Sequence, residues 1–208
     1  MPPLRRTLAA LCFCALALAT AHSQAGTWTI DPNHSAAEFS VRHMMISNVK
    51  GAFSKVSGTV QYDPADVSKT VVDATVETAS VDTRQEGRDK DLRSANFFDV
   101  EKYPTMTFKS KKVEAAGSGH LKMTGDLTIH GTTREVTFDV EGPSPAIKDQ
   151  QGNLHMGASA TARINRKDFG LTYNRLLETG GAVVSDEVQI TLDVELKRAA
   201  AAPAAASK

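Results

Sequence analysis

The 208-residue sequence predicts an all-β, eight-stranded antiparallel barrel with a short helical insertion. Three observations lead to this fold class. Apolar and polar residues alternate over about eight stretches. The turns between them are mostly short, and the alternation stops over one charged stretch, residues 80–108. Strands connected in this way form a sandwich or a barrel. We expect the barrel, because closure leaves no unpaired edge strand.

The first 25 residues have the features of a signal peptide. Arg5 and Arg6 precede an apolar run from Leu8 to Ala19, which is too short to span a bilayer comfortably. Small residues allow cleavage after Ala21 or after Ala25. We therefore expect an exported protein of the periplasm, or one secreted into the medium, with no integral membrane span after processing.

Composition narrows the function classes. Both cysteines, Cys12 and Cys14, lie in the predicted signal peptide, so the mature chain has no thiol or disulfide. The 24 basic and 24 acidic residues balance, and no basic run is present, which argues against a nucleic-acid partner. The sequence does not determine the oligomeric state, and a homodimer is one of the states considered.

The strands are predicted from alternation on either side of turns. Four alternating stretches precede the charged segment, at residues 27–30, 37–42, 53–62 and 72–77. Further stretches follow the predicted helix, at residues 106–108, 121–129, 136–141, 158–164 and 188–197. His130–Thr133 has the composition of a hairpin turn, and the last stretch alternates most regularly. Residues 199–208 are Ala-rich without an apolar face, which predicts a disordered tail after a barrel domain of residues 26–198.

The charged stretch predicts the helix. Thr83 followed by Glu86 matches a capping box, so we expect the helix to begin at Arg84 and to end near Ser94. Gly87 weakens it by about 1 kcal/mol relative to alanine.

Two phenylalanines follow the helix, and such large rings require burial. We expect Phe97 and Phe98 at the mouth or inside of the barrel, with Arg84, Arg88 and Arg93 beside them. An arginine there suits a phosphate or a carbonyl-bearing head group. The alternative is a solvated helix held by its own ion pairs.

Small residues on the inward faces predict an internal volume. They are Ala74, Gly125, Ala158, Ala160 and Ala162. We interpret this volume as a long apolar cavity, which suits a chain-like lipid because burial is worth roughly 0.8 kcal/mol per CH₂. In the alternative interpretation, four rings fill the space: Phe39, Phe53, Phe108 and Phe138.

The sequence contains no positive signal for catalysis. Gly117-Ser118-Gly119 is a turn rather than a nucleophile elbow, and no Gly-rich phosphate loop is present. The histidines lack metal-ligand spacing, so we expect no catalytic residues, no metal and no cofactor. His43 shares the parity of Val41 and should face inward near the mouth, either as a wall residue or as a contact to a ligand head group. Residues 173–185 are either a lid, with Leu176 and Leu177 capping the cavity, or an ordinary long loop.

Several segments resemble the YceI family of periplasmic, lipocalin-like proteins that bind polyisoprenoids. They are Phe39-Ser40-Val41-Arg42-His43, Ser80-Val81-Asp82-Thr83, Arg88-Asp89, Leu92-Arg93-Ser94, Phe97-Phe98, Tyr103-Pro104, Gly125-Asp126-Leu127-Thr128-Ile129-His130-Gly131, Asp168-Phe169-Gly170 and Asp186-Glu187-Val188. They cover nearly the whole mature domain in order. The resemblance implies a lipocalin-like barrel with an elongated apolar tunnel for an isoprenoid or a similar amphiphile.

These observations together predict a periplasmic carrier of a polyisoprenoid, such as an isoprenoid quinone. The ligand-binding residues we expect are Phe39, Val41, His43, Phe53, Val60, Val76, Arg84, Arg88, Phe97, Phe98, Met106, Phe108, Leu127, Ile129, Phe138, Ile164 and Phe169. Two alternatives remain at this point. One is a scavenger lipocalin that sequesters hydrophobic toxins or antibiotics under stress, and the other is an interaction module with a filled core.

Overall fold

The computed structural model describes residues 25–175 and 183–198. The predicted signal peptide up to residue 24, the predicted tail, and Leu176 and Leu177 of the predicted lid lie outside these ranges. Within them, the chain forms twelve strands, one α-helix and three 3₁₀ helices.

The strands β1 to β12 span Gly26–Ile30, Ala36–His43, Ser47–Phe53, Val56–Tyr62, Val71–Glu77, Val81–Asp82, Thr105–Ala115, His120–Ile129, Thr132–Glu141, Ile147–Lys148, Leu154–Asn165 and Val184–Arg198. The helix α1 spans Glu86–Arg93, and the 3₁₀ helices span Val67–Lys69, Thr78–Ser80 and Arg166–Phe169.

The sheet closes on itself, which confirms the predicted eight-stranded antiparallel barrel. Around the ring the order is β11, β9, β8, β7, β5, β4, β1 and β12, and β12 pairs with β11 to complete it. The strands β2 and β3 prolong this wall, because β2 pairs with the same edge of β12 as β1 does. The hairpin that joins β8 and β9 turns at His130 and Gly131, both with left-handed backbone, as the sequence predicts.

A bend joins β1 to β2 around the edge of β12. The amide of Asp31 donates to the carbonyl of Glu195 at 2.8 Å, and the amide of Glu195 donates to the hydroxyl of Ser35 at 3.0 Å. The backbone of β12 therefore holds both sides of the bend, and β1 and β2 act as one long curved strand.

The helix begins two residues later than predicted, and the capping box is wrong. Arg84 has a left-handed backbone with φ of 62°, which excludes it from a right-handed helix. The side chain of Gln85 caps α1 by accepting from the amide of Arg88. Thr83 instead points inward, and its hydroxyl and amide both donate to the buried carboxylate of Asp89. Burial raises the pKa of Asp89. The hydrogen bonds from Thr83 and the charges of Arg93 and Arg88 lower it by more, so the pKa of Asp89 lies below its usual range.

The packed end of the barrel has Trp28 in its core. Trp28 is fully buried, and the guanidinium of Arg198 lies 4.6 Å from its ring centroid. Around Trp28 the buried core includes Ile30, Val60, Val140, Met156 and Leu196.

A 3₁₀ helix seals the wall between β9 and β11. These strands pair only from Ser159↔Glu141 to Thr161↔Asp139, so their ladder does not reach the other end of the barrel. The 3₁₀ helix Arg166–Phe169 lies against β9, β11 and β12, and Phe169 in it is only 1% exposed. Phe169 therefore closes a gap in the wall.

Candidate ligand cavity

The end of the barrel opposite Trp28 contains a cavity of about 480 Å³. Most of its lining side chains are apolar, and they come from β2, β3, β5, β7, β8, β9, β11 and β12. Both α1 and the segment that precedes β12 contribute to its mouth. A volume of this size lies within the range of sites that hold small organic ligands.

Most of the site residues predicted from sequence lie around this cavity. They are Phe39, Val41, His43, Phe53, Val76, Arg88, Phe97, Phe98, Met106, Phe108, Leu127, Ile129, Phe138 and Ile164. Their role in binding stays a prediction, but the structure brings them to one surface.

Three predicted site residues lie elsewhere. Val60 belongs to the packed end, because alternation fixes the face of a residue but not its height along the barrel axis. Phe169 seals the wall, as described above. Arg84 is exposed, and its left-handed backbone lies in the turn before α1, where its amide donates to the carboxylate of Asp82 at 2.6 Å.

The aromatic rings line the cavity without filling it. Phe53 lies between Phe39 and Phe98, with ring centroids 5.7 Å and 5.3 Å away. Phe108 packs edge-on against Phe138 at 5.2 Å. These rings pack edge-to-face or tilted against one another, and all of them line the cavity that remains.

The small inward residues contribute less to the cavity than predicted. Ala74 lines it, but Ala158, Ala160 and Ala162 belong to the core outside its lining. A Cβ added at Gly125 would meet the ring of Phe108 at 2.6 Å. The space at Gly125 therefore accommodates that ring rather than a ligand.

The mouth carries the polar groups. The guanidinium of Arg88 donates from Nε to the hydroxyl of Thr83 at 2.7 Å and from Nη2 to its carbonyl at 2.9 Å. Asp91 and Arg175 also line this rim, and Phe97 contacts the ring of Tyr173 with centroids 5.2 Å apart. An amphiphile could place its chain among the apolar residues and its head group here. Arg93, by contrast, donates to the carbonyls of Ala79 and Val81 and anchors α1 to the barrel.

Arg166 is a wall residue that sequence reasoning missed. It is 4% exposed, and its guanidinium donates to the carbonyls of Leu171, Tyr173 (2.9 Å) and Ser185 (3.0 Å). Burial lowers its pKa, while the carboxylate of Asp186, 3.3 Å away, acts in the opposite direction. The only sequence signal was its position two residues before the Asp168-Phe169-Gly170 motif.

Arg166 and Asn174 hold together the two ends of the predicted lid. The side chain of Asn174 donates from Nδ2 to the carbonyl of Val184 at 2.7 Å. Its Oδ1 accepts from the backbone amide of Val184 at 3.1 Å. Both flanks line the mouth, through Tyr173, Asn174 and Arg175 on one side and Val183 and Val184 on the other. Whether the segment between them acts as a lid stays a prediction.

Other missed lining residues had a readable signal. Val188, Ile190 and Leu192 form the inward face of the last strand and line the cavity. The sequence shows that these three side chains share the inward face of the strand. It does not show which part of that face, along the barrel axis, borders the cavity. Ala37 on β2 was missed for the same reason. Val49 lies on β3, where no strand was predicted, because the predicted stretch 53–62 begins at the last residue of β3 and otherwise covers β4.

Outside the cavity, histidines and carboxylates meet on the surface of the packed end. One possible metal-ligand atom from each of Asp31, His34 and Glu195 lies within 4.8 Å of the other two. The carboxylates already have cationic partners, since Lys197 lies 3.4 Å from Asp31 and His155 lies 2.8 Å from Glu195. The absence of a metal centre stays a prediction. Among the described residues, no helix is both long and apolar enough to cross a membrane.

Comparison with known proteins identifies relatives over the barrel. A UPF0312 protein of Staphylococcus aureus is 36% identical over 168 residues, which cover 81% of this chain and 95% of that protein. A YceI protein of Campylobacter jejuni is 34% identical in its crystal structure, with a TM-score of 0.65 over 76% of this chain and 90% of that one.

Two further structures share the architecture. BcnA of Burkholderia cenocepacia is 26% identical, with a TM-score of 0.68 over 80% of this chain and 98% of that one. A polyisoprenoid-binding domain from Saccharophagus degradans shares the fold at 15% identity, with a TM-score of 0.58 over 83% of this chain and 98% of that one. The model of the YceI-like domain matches residues 28–196. The chain belongs to the YceI family.

Proposed function

We propose that this protein is an exported carrier that holds one polyisoprenoid, or a similar long-chain amphiphile, in its cavity within the periplasm. The observation that carries the proposal is the apolar cavity of about 480 Å³ at one end of the barrel. The signal-peptide features of the N-terminus support export. The structural neighbour from Saccharophagus degradans, named as a polyisoprenoid-binding domain, agrees with the ligand class.

Burial of the apolar chain supplies most of the affinity in this proposal. Each five-carbon isoprene unit that leaves water contributes up to about 4 kcal/mol, as an upper bound from roughly 0.8 kcal/mol per carbon group. Immobilising the ligand offsets part of this gain. Two or three buried units would therefore give useful affinity without any specific polar bond. The polar rim around Arg88 and Arg175 would then orient the head group.

The test is native mass spectrometry of the protein purified from the periplasm, followed by organic extraction and then by titration with a quinone or polyprenol. We expect an adduct with an isoprenoid repeat, or uptake of the added compound in a 1:1 ratio. A protein of bare mass that takes up neither compound would overturn the proposal and favour a filled interaction module. Displacement of the isoprenoid by a hydrophobic antibiotic at lower concentration would favour the scavenger.

A pair of neighbouring substitutions locates the site. Ile190→Arg places a charge on the cavity wall, whereas Thr191→Arg places it on the outer face of the same strand. We expect the first to abolish uptake and the second to leave it unchanged, at melting temperatures that show both are folded. If Ile190→Arg does not fold, Ile190→Trp fills the cavity instead. Unchanged uptake by a folded wall variant would place the ligand elsewhere.

A further inference from the structure

The hairpin that joins β2 to β3 exposes three consecutive large apolar side chains. Met44 is 40% exposed, Met45 61% and Ile46 76%. Among the described residues only Val71 and Ile147 are comparably exposed large hydrophobics, so three of the five lie at this one tip. Single exposed apolar residues are ordinary, but a contiguous group points to a binding partner.

The tip is held in an uncommon backbone conformation. Met44 and Met45 have φ of 49° and 62°, in the left-handed region that residues other than glycine and asparagine seldom adopt. The guanidinium of Arg42 donates to the carbonyl of Met45 at 2.7 Å, and the amide of Met44 donates to the carbonyl of Val183 at 2.7 Å. These bonds hold the three side chains on the outside of the barrel.

The tip lies at the rim of the cavity. Val41, His43 and Val49, on the two strands of the same hairpin, line the cavity, and so does Val183, which bonds to Met44. A surface that contacts the tip therefore also faces the mouth.

The charged side chains of the hairpin itself are of one sign. Residues 39–53 contain Arg42, Lys50 and His43 but no aspartate or glutamate. Arg42 and Lys50 are both exposed on this hairpin. Apolar side chains flanked by cations are the combination that binds the interface of an anionic bilayer, where the apolar groups enter the acyl boundary and the cations meet the phosphates.

We propose that the tip Met44–Ile46 inserts into the surface of an anionic phospholipid bilayer and places the mouth of the cavity against the membrane. This inference rests on the proposed carrier function for its purpose, since a docked mouth would let an isoprenoid chain pass between bilayer and cavity without crossing water. Docking itself is measured without any cargo.

The experiment is flotation with vesicles of phosphatidylethanolamine and phosphatidylglycerol, and with phosphatidylcholine vesicles as the neutral comparison. We expect the wild type to float with the anionic vesicles and less so at high salt. Met45→Ser/Ile46→Ser should lower partitioning about tenfold or more, because two exposed apolar side chains are lost. Ile147→Ser is the matched control, since Ile147 is 68% exposed on β10, away from this hairpin. It should partition like the wild type.

A second readout separates docking from cargo binding. The double variant should take up an isoprenoid presented in dilute detergent as the wild type does, but should extract it from vesicles more slowly. Equal flotation of the double variant and the wild type, or no flotation of either, would overturn the docking proposal. If the double variant instead abolishes a dimer in sedimentation equilibrium and vesicles bind neither protein, the tip is a self-association surface. Failure to bind an isoprenoid from detergent would refute the carrier function, and flotation would still decide docking.

Discussion

At one end of the barrel Trp28 is fully buried among aliphatic side chains, whereas at the other end the same kind of alternating strands surrounds a cavity of about 480 Å³. The inward faces of both ends are apolar. The ends differ in where their large side chains point. The ring of Trp28 is buried in the core of the packed end, while the phenylalanines of the cavity end pack against one another along the wall. A barrel of eight strands has room for either outcome.

Further differences follow from how each end is closed. The packed end is closed by the strand ladder and by ion pairs on its surface, including the contact of His155 with Glu195. At the cavity end the side wall between β9 and β11 is completed by the 3₁₀ helix with Phe169 and by the hydrogen bonds of Arg166 to backbone carbonyls. The wall of the cavity end therefore depends on a few side chains that a mutation can remove singly.

The largest expected effect is at the packed end. Trp28→Ala should lower the free energy of unfolding by about 3–5 kcal/mol, because it leaves a void among residues that cannot collapse fully. Phe97→Ala at the mouth should cost less than half of that, since Phe97 is only partly buried and borders space that already exists. Chemical denaturation of both variants measures the difference. Equal losses would show that the two ends are packed alike.

A matched pair of alanines gives the next effect. Ala160→Leu adds volume to the packed core and should cost about 1–3 kcal/mol of unfolding free energy. Ala74→Leu adds the same volume where the cavity can accept it, so it should change stability by less than about 1 kcal/mol. Only Ala74→Leu should reduce isoprenoid uptake at unchanged fold. A larger loss of stability for Ala74→Leu than for Ala160→Leu would contradict the assignment of the ends.

The smallest effect is a pH dependence of stability at the packed end. Hydrogen bonds to Asp149 at 3.0 Å and to Glu195 at 2.8 Å raise the pKa of His155 above 6.5. Asn153 first, and His155 after it, lower the pKa of Asp149 to about 2. His155 therefore stabilises the fold below pH 6.5 and loses its contribution as pH rises through its raised pKa. Asp149 stabilises the fold above its ordinary pKa of 3.8 and loses its contribution as pH falls towards 2.

The melting temperature of His155→Gln measures this dependence. The deficit relative to the wild type should be largest below pH 6.5 and should shrink as the pH rises through the raised pKa of His155. A deficit that grows with rising pH would mean that the fold lowers the pKa of His155 instead of raising it.

Much of the barrel could be predicted because each β-strand shows a local alternation of apolar and polar residues. The alternation of Val188, Ile190, Leu192, Val194 and Leu196 identified the last strand and its inward face, and the structure confirms both. The turn at His130 and Gly131 could also be predicted locally, since a tight hairpin needs two residues with left-handed backbone.

The errors concern side chains whose partner in the folded chain is not set by the local sequence pattern. Thr83 and Glu86 have the spacing of a capping box, but the buried carboxylate of Asp89 takes the bonds of Thr83. The sequence predicts that Gly125 leaves volume for the cavity, but the ring of Phe108 from the neighbouring strand lies in that volume. Local spacing cannot show which of two competing partners a side chain meets.

The sequence by itself determined that this chain forms a closed antiparallel barrel with an apolar interior and one charged helix. The reason is that apolar residues at every second position show which face of each strand is buried. Only the tertiary structure decided that the interior is solid around Trp28 and open around Ile190. It also placed Arg166 in the cavity wall and Met44–Ile46 at the rim of the mouth. The physical reason is that a void depends on the height at which side chains from different strands meet, and strand register sets that height.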